Sequence, residues 1–390
     1  MILEPDGTEV DWFVGYSPPP EKYSEQLERA FQGIDTFQSL SAQYAKEPNR
    51  VEIIFKLAEK YSARGSTEKA VELYKQVVAI DPEGKQGMTE FDNEKVSYTQ
   101  NAEFNLGLMA MFHSRPPDLA SLQAFIKKYN GGILVKEAYR RMGSSYYSRS
   151  ASKEEATKFF EEYTSCFPQD PEAYDAWVSR IIFDKGPLDK GFTLAQEAIV
   201  LTRKAIGQTK EMPLANPYQN LAQLYLLKGD KVKAAETADE MIKFAAGLPS
   251  PSGPLPEAGI GPVLVAAPIA ARIYIDAGYP DKALVAYGPK FMKKIMNNAG
   301  LLGRYAQFWS GQGQNLESAL EAAKKVTALT PDSYSPWNTM GQIYLKQKNY
   351  KEALKAAEKA LSLAPDQPPQ AKASIKKNIE AIKTAAQEKK

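Results

Sequence analysis

Residues 334–367 read YSPWNTMGQIYLKQKNYKEALKAAEKALSLAPDQ, and this stretch decides the fold. Apolar residues recur at helical spacing in two runs that a short polar link separates, which predicts two helices. Gly341 and Ala353 are small enough to let the two helices approach closely, while Trp337 fills the space between neighbouring hairpins. Pro365 ends the second helix because proline cannot continue a helical hydrogen-bond ladder. The stretch therefore predicts one antiparallel helical hairpin of a stacked array.

The order of these residues resembles the tetratricopeptide repeat, a unit of about 34 residues with the pattern W-x2-L-G-x2-Y followed by A and P. Met340 takes the usual Leu place, Tyr344 takes the Tyr place, and Ala357 takes the usual Phe place. This resemblance implies stacked helical hairpins, with a groove lined by the first helix of each repeat. The alternative is a helical bundle without repeats.

Further copies precede this stretch in the same frame. Segments with matching small, aromatic and proline residues lie at 51–84, 137–170, 215–247, 266–291 and 300–333. Two segments fit less well: residues 85–136 predict helices near 95–113 and 117–129, and residues 171–210 predict a helix pair around Trp177 and Ala195. The prediction is a mostly α fold, an α-solenoid of about eight hairpins, from the recurrence of the repeat.

The predicted solenoid spans residues 51–367, and residues 368–390 predict a capping helix and tail, which such arrays need at their ends. A single interruption is expected at 247–262, which holds five prolines and four glycines. That density is incompatible with a helix. It predicts either an insertion loop or an extended polyproline segment that docks a partner.

The chain begins with an element of a different kind. Residues 1–33 predict two strands joined by the turn Pro5-Asp6-Gly7 and followed by a helix, and residues 34–50 predict a linker helix. The second strand alternates, so Val10, Trp12 and Val14 share one face, which we expect to contact a partner surface. That surface is the first repeats, another chain, or a missing part of a longer protein.

This ββα order is similar to the last third of a thioredoxin-like domain. The similarity covers about 30 residues by the same strand and turn signals, and it brings no redox-active residue, because no CxxC motif is present. The segment therefore predicts a structural remnant and carries no chemistry of its own.

Composition argues against several functional classes. The formal net charge is +2, from 49 basic and 47 acidic residues, so nucleic-acid binding is not expected. Cys166 and His113 stand alone in their residue types, too few for the usual zinc ligand sets or for a paired nucleophile and base. We expect Cys166 to be packed or partly buried at a helix end and His113 to lie near a helix C-terminus. We predict no catalytic residues, no cofactor and no metal.

No apolar run approaches the ~20 residues of a membrane-spanning helix, and no signal peptide is visible. The compartment stays open: cytoplasmic by default, or exported if the natural N-terminus lies upstream.

The resemblance also assigns candidate partner residues, at positions 2, 5, 6 and 9 of each repeat. They are polar or aromatic side chains expected to face the groove, where amides can grip a peptide backbone. The candidates are Arg141, Ser145, Asn216, Gln219, Asn220, Gln223, Arg272, Arg304, Tyr305, Phe308, Asn338 and Gln342.

Three functions remain open at this point. The first is a non-catalytic scaffold that binds a protein or peptide partner in the groove. The second is a self-assembling structural subunit that associates through its N-terminal strands. The third is the accessory part of a thioredoxin-like redox protein whose active half is absent from this chain.

Overall fold

The computed structural model describes residues 1–13, 20–144, 150–205, 216–248, 261–366 and 370–387. Its helices pack mainly as successive antiparallel pairs, so the predicted mostly α-helical, repeat-based fold is confirmed. The chain divides into two compact units, Met1–Arg180 and Ile181–Lys390.

The first unit combines helices with two short β-hairpins. Its elements are β1 Ile2–Leu3, β2 Glu9–Asp11, α1 Pro20–Phe31, α2 Phe37–Lys46, α3 Val51–Ala63, α4 Thr67–Ile80, β3 Met88–Phe91, β4 Glu94–Ser97, α5 Tyr98–His113, α6 Ala120–Tyr129, α7 Ile133–Met142, α8 Lys153–Cys166 and α9 Pro171–Phe183, within which the division falls. The strands of each hairpin are antiparallel.

The second unit is helical throughout its described residues. Its elements are α10 Leu188–Ala205, α11 Asn216–Lys228, α12 Lys231–Ala246, α13 Gly261–Ala277, α14 Pro280–Tyr287, α15 Pro289–Lys294, α16 Ala299–Gln312, α17 Leu316–Leu329, α18 Tyr334–Lys346, α19 Tyr350–Leu363 and α20 Gln370–Gln387. The segment 334–367 thus forms the α18–α19 hairpin that its pattern predicts.

Close helix packing in the α18–α19 hairpin depends on small residues. A Cβ atom at Gly341 would lie 3.4 Å from the Ala353 carbonyl oxygen and 3.4 Å from the Ala357 nitrogen. Ala353 and Ala357 are themselves buried. A larger side chain at Gly341 would push α19 outward, which explains why the pattern puts glycine and alanine here.

Large aromatic side chains fill the space between hairpins. In the second unit Trp309 is fully buried, and its indole N–H donates to the Tyr287 carbonyl oxygen at 2.8 Å. In the first unit Phe55 packs against Tyr74 and Tyr98, with ring centroids 5.7 and 5.2 Å apart. These contacts join successive hairpins within each unit into a continuous core.

The N-terminal hairpin packs against α2 and α3, as one of the alternatives proposed. The buried side, however, is opposite to the predicted one. Asp11 is 1 % exposed, whereas Val10 is half-buried and Trp12 is exposed; Val14 lies outside the described residues. The correction has an electrostatic reason, because α3 presents cations rather than an apolar face to the hairpin.

A second β-hairpin, β3–β4, was missed by the sequence patterns, which placed helix from residue 95. Asp92 and Asn93 both adopt left-handed backbone angles, with φ of 48° and 66°. This pair of angles is typical of the tight turn that joins antiparallel strands. Val96, in β4, is buried, and α5 starts at Tyr98.

Three further predictions concern residues at the ends of helices. Gly247 caps the end of α12, whereas Gly261 and Pro262 belong to α13, so the predicted interruption does not include these two residues. The rest of that prediction, residues 249–260, lies outside the described part. His113 is the last residue of α5. Cys166 ends α8 but is exposed rather than packed or partly buried, with its Sγ 3.9 Å from the Tyr139 hydroxyl. In the described residues, no helix is long and apolar enough to cross a membrane.

Candidate binding groove

The predicted groove residues lie on the first helices of successive hairpins. In the second unit these helices are α11, α13, α16 and α18, and α11 contacts α13 while α16 contacts α18. On these helices the candidate residues are exposed or half-buried, with the exception of Tyr305 on α16. The first unit contributes Arg141, on α7.

On α7, Arg141 is exposed but already engaged. Its Nε donates to a carboxylate oxygen of Glu137 at 2.6 Å, and Arg140 donates twice to the same carboxylate at 2.6 and 2.7 Å. Burial opposes the charged form, yet these hydrogen bonds keep the pKa of Glu137 below its usual value. Arg140 also reaches Glu172 of α9 at 3.7 Å. Ser145 lies outside the described residues.

The amide residues on α11 form a polar strip. Asn216 and Gln219 are exposed, and Asn220 and Gln223 are half-buried. On α13, the exposed Arg272 pairs with Asp276 at 3.0 Å, so its charge is balanced within the helix. This face offers hydrogen-bond donors and acceptors without net charge.

On α16 the predicted assignment of two residues is wrong. Tyr305 is 0 % exposed, and its hydroxyl lies 2.9 Å from Ser318 Oγ and accepts from Asn315. Phe308 is half-buried and its ring meets Tyr287 edge-on at 5.2 Å. Tyr305 therefore belongs to the core and does not line a groove, while Phe308 is largely engaged by the next aromatic ring.

The cause is a one-residue shift in the repeat frame. The buried apolar residues of α16 are Leu302, Tyr305, Ala306 and Trp309, with the spacing of Trp337, Met340, Gly341 and Tyr344 in α18. The repeat thus begins one residue earlier than a step of about 34 predicts. Asn298 marks this start, since its side chain accepts from the Leu301 amide at 3.0 Å.

With the corrected frame, the groove positions of α16 are Gly300, Gly303, Arg304 and Gln307. These four residues line a cleft of about 270 Å³ between α16 and α18, with α17 beneath it. Ala306, Ala323 and Val326 form the apolar floor, and α18 supplies hydroxyl groups at the rim. The remaining lining residues are Ala299, Thr330, Ser333, Ser335, Pro336 and Thr339.

Arg304 is the ionisable side chain of this cleft. It is exposed, and no carboxylate of the described residues lies within salt-bridge distance of it. A Cβ atom built on Gly303 would meet no atom within 4 Å, so the cleft is open above this residue. The cleft can therefore accept a small group and offers it one positive charge.

On α18, the two candidates differ in their availability. Asn338 accepts a hydrogen bond from the side chain of Asn378 in α20 at 3.0 Å, so it ties the last helix to the array. Gln342 is half-buried.

Within the described ranges, no cluster of three or more His, Cys, Asp or Glu residues could hold a metal ion.

These helical pairs define a protein built from stacked α-helical hairpins. Residues 335–367 match the family model described as tetratricopeptide repeat. The family match thus lies on the α18–α19 hairpin, the stretch whose residues resemble this repeat most clearly.

Solved structures with similar folds include several proteins of this kind. Yeast Tom70 is 16% identical, with 97% of this chain and 67% of that chain covered and a TM-score of 0.48. A tetratricopeptide repeat protein from Parabacteroides merdae is 13% identical, with 85% and 98% covered and a TM-score of 0.40. YrrB, described as having an unusual peptide-binding site, is 16% identical, with 56% and 97% covered and a TM-score of 0.31. No curated protein matches the sequence.

Proposed function

We propose that this protein is a non-catalytic interaction scaffold whose α16–α18 cleft holds an extended peptide segment of a protein partner. The observation that carries this proposal is the cleft itself, which lies at the groove positions of two successive first helices. Repeat arrays use such surfaces to bind partners along several helices.

The positive charge of the cleft favours a peptide that carries an acidic group. Arg304 stands at the rim without an ion-pair partner among the described residues, and the other lining residues are uncharged. An arginine in this setting forms its strongest hydrogen bonds with a carboxylate. The partner segment is therefore expected to place an acidic group at Arg304.

The apolar floor of the cleft favours a partner segment with a small residue next to its acidic group. Ala306, Ala323 and Val326 give an apolar base, and Gly303 leaves the space above it empty. Gln307 and Ser335 lie at the rim, with Gln307 Nε2 and Ser335 Oγ 3.5 Å apart, too far for a strong bond between them. Both side chains can turn to the backbone of a bound segment.

The first prediction concerns filling the cleft. Gly303→Leu places a side chain in the open space, so a peptide that occupies the cleft should bind at least about tenfold more weakly. The peptide is obtained by selection from a displayed random library on the immobilised wild-type chain, and its affinity is measured by fluorescence anisotropy.

Gly311→Leu is the matched control, because Gly311 lies on the same helix, also has open space above it, and does not line the cleft. It should bind the peptide like the wild type. Arg304→Gln should weaken acidic peptides and leave their amide-substituted versions unchanged. Equal affinity of Gly303→Leu and wild type would contradict the proposal.

A further inference from the structure

The last helix, α20, has one buried face and one open face. Ile375, Ile379 and Ile382 are buried against the alanines of α19. The opposite face exposes small and basic residues, among them Ala373, Lys376, Lys377 and Ala381. A helix face of small side chains lets a second helix approach closely.

The position of α20 in the array explains why this face is open. It contacts α18 and α19 in the way that α18 contacts α16 and α17, so it stands where the first helix of another hairpin would stand. The first helices α16 and α18 are each followed by a second helix that covers them. Within the described residues, no helix follows α20 and covers its outer face.

The helix α1, at the other end of the described chain, exposes apolar and acidic side chains. It is amphipathic, yet Phe31 at its end is 76 % exposed, and Ile34 just beyond it is also exposed. Glu25 and Glu28 lie on its exposed surface, and no ion pair involves either carboxylate in the described part of the chain. An exposed aromatic side chain beside unpaired charges is typical of a surface that contacts another protein.

The charges of the two ends are complementary. Residues 1–35 hold eight acidic and two basic residues, whereas α20 holds four lysines and one glutamate. Of the α20 lysines, Lys372 and Lys383 pair with Asp366 and Glu380 in the same chain. Lys376 and Lys377 remain for an external partner, since no salt bridge in the described residues includes them.

From these observations we propose that α1 of one molecule packs on the outer face of α20 of a second copy. Phe31 lies over the small residues of α20, and Glu25 and Glu28 face Lys376 and Lys377. The two surfaces differ, so the contact does not close on itself and gives head-to-tail oligomers. The strands β1 and β2 are not the contact, because Asp11 and Glu9 bind α3 of their own chain.

The test is a charge swap in the full-length chain. Sedimentation velocity between about 1 µM and 1 mM covers the range of weak interfaces, and the wild type should form oligomers that grow with concentration. Raising NaCl from about 0.05 to 0.5 M should dissociate them, since it shortens the Debye length to a few Å. Glu25→Lys/Glu28→Lys and Lys376→Glu/Lys377→Glu should each weaken association at least about tenfold.

Mixing the two charge-reversed variants should restore oligomers, because every contact in the mixture again joins opposite charges. Lys324→Glu/Lys325→Glu, an adjacent lysine pair on α17, is the control and should associate like the wild type. A wild type that stays monomeric, oligomers that persist at high salt, oligomers that neither variant affects, or a mixture that stays dissociated would each overturn the proposal.

Discussion

Glu137 illustrates how one half-buried carboxylate organises the surface around it. It lies between Arg140 and Arg141 on α7 and takes three charge-assisted hydrogen bonds from them. Because the folded state keeps its pKa low, the carboxylate remains charged where an unfolded chain would already take up a proton. The stabilisation is therefore present at neutral pH and is lost as the pH falls through the folded-state pKa.

A second prediction follows for Glu137→Gln. At pH 7 the variant should lose about 1.5–3 kcal/mol of unfolding free energy, the range for hydrogen bonds to charged groups. Below the ordinary glutamate pKa of about 4.3 the difference should shrink, as the wild type also becomes protonated. Urea unfolding followed by circular dichroism at pH 7 and near pH 3 measures both values.

The exposed Glu94 on β4 provides the control, and Glu94→Gln should leave stability nearly unchanged at both pH values. A Glu137→Gln deficit that is the same at acidic and neutral pH would show that packing, and not the charge of Glu137, is responsible.

At this scale the sequence predicted residue types better than residue positions. The polar residues of α11 are exposed or half-buried, and their place in a groove stays a prediction. Tyr305 was misplaced because periodicity alone tolerates a shift of one residue, which turns a helix by about 100°. The Asn298 cap was the signal that would have fixed the frame of Gly303.

Among the elements, the β1–β2 hairpin is held by charge. Asp11 is buried, binds Lys60 Nζ at 2.5 Å, and accepts from the backbone N–H groups of Trp12 and Phe37. Glu9 pairs with Arg64, whose guanidinium lies 3.4 Å from the ring centroid of Phe37. These contacts attach the hairpin to the first helices, since two isolated strands are not stable alone.

The third prediction is that Asp11→Ala releases this hairpin. Removing one partner of a buried ion pair leaves Lys60 uncompensated and costs about 3–5 kcal/mol. Amide hydrogen exchange should therefore accelerate in residues 1–13 and at the start of α2, while α3 and α4 keep their protection. Glu4→Ala, at an exposed position of the same hairpin, should change nothing; an unchanged exchange pattern in Asp11→Ala would contradict this role.

Sequence patterns identified helices more reliably than the short strands. The start of α19 is marked by the Asn349 cap, and the small residues Gly341 and Ala353 record the close contact between α18 and α19. β3 and β4 have four residues each, too few for alternation to stand out. The buried side of β2 depends on cations of α3, which lie far away in the sequence, so local patterns could not assign it.

Across the whole chain, stability is expected to be a sum of local contacts. In a repeat array each hairpin touches only its neighbours, so a defect at one end is not transmitted to distant repeats. The two compact units follow this principle, because each has a core built from its own helices. The repeat pattern predicted this organisation, whereas the division at α9 has no signal in the sequence.

The fourth prediction concerns Ile375, which α20 buries against α19. Ile375→Ala should cost about 2–5 kcal/mol locally, the usual cost of such a truncation. Hydrogen exchange should rise in α18, α19 and α20 and stay unchanged in α3 and α4. Val285→Ala is the control, because Val285 is exposed on α14; faster exchange throughout the chain would argue against independent local packing.

The exposed thiol of Cys166 gives every chain a single handle for a dye. Because the chain has one cysteine and the sulfur lies open at the end of α8, a maleimide fluorophore attaches once per molecule without mutagenesis. Under a single-molecule microscope, the number of photobleaching steps in one spot then equals the number of chains in that particle. Head-to-tail growth would appear as a broad distribution of step counts, and a closed dimer as two.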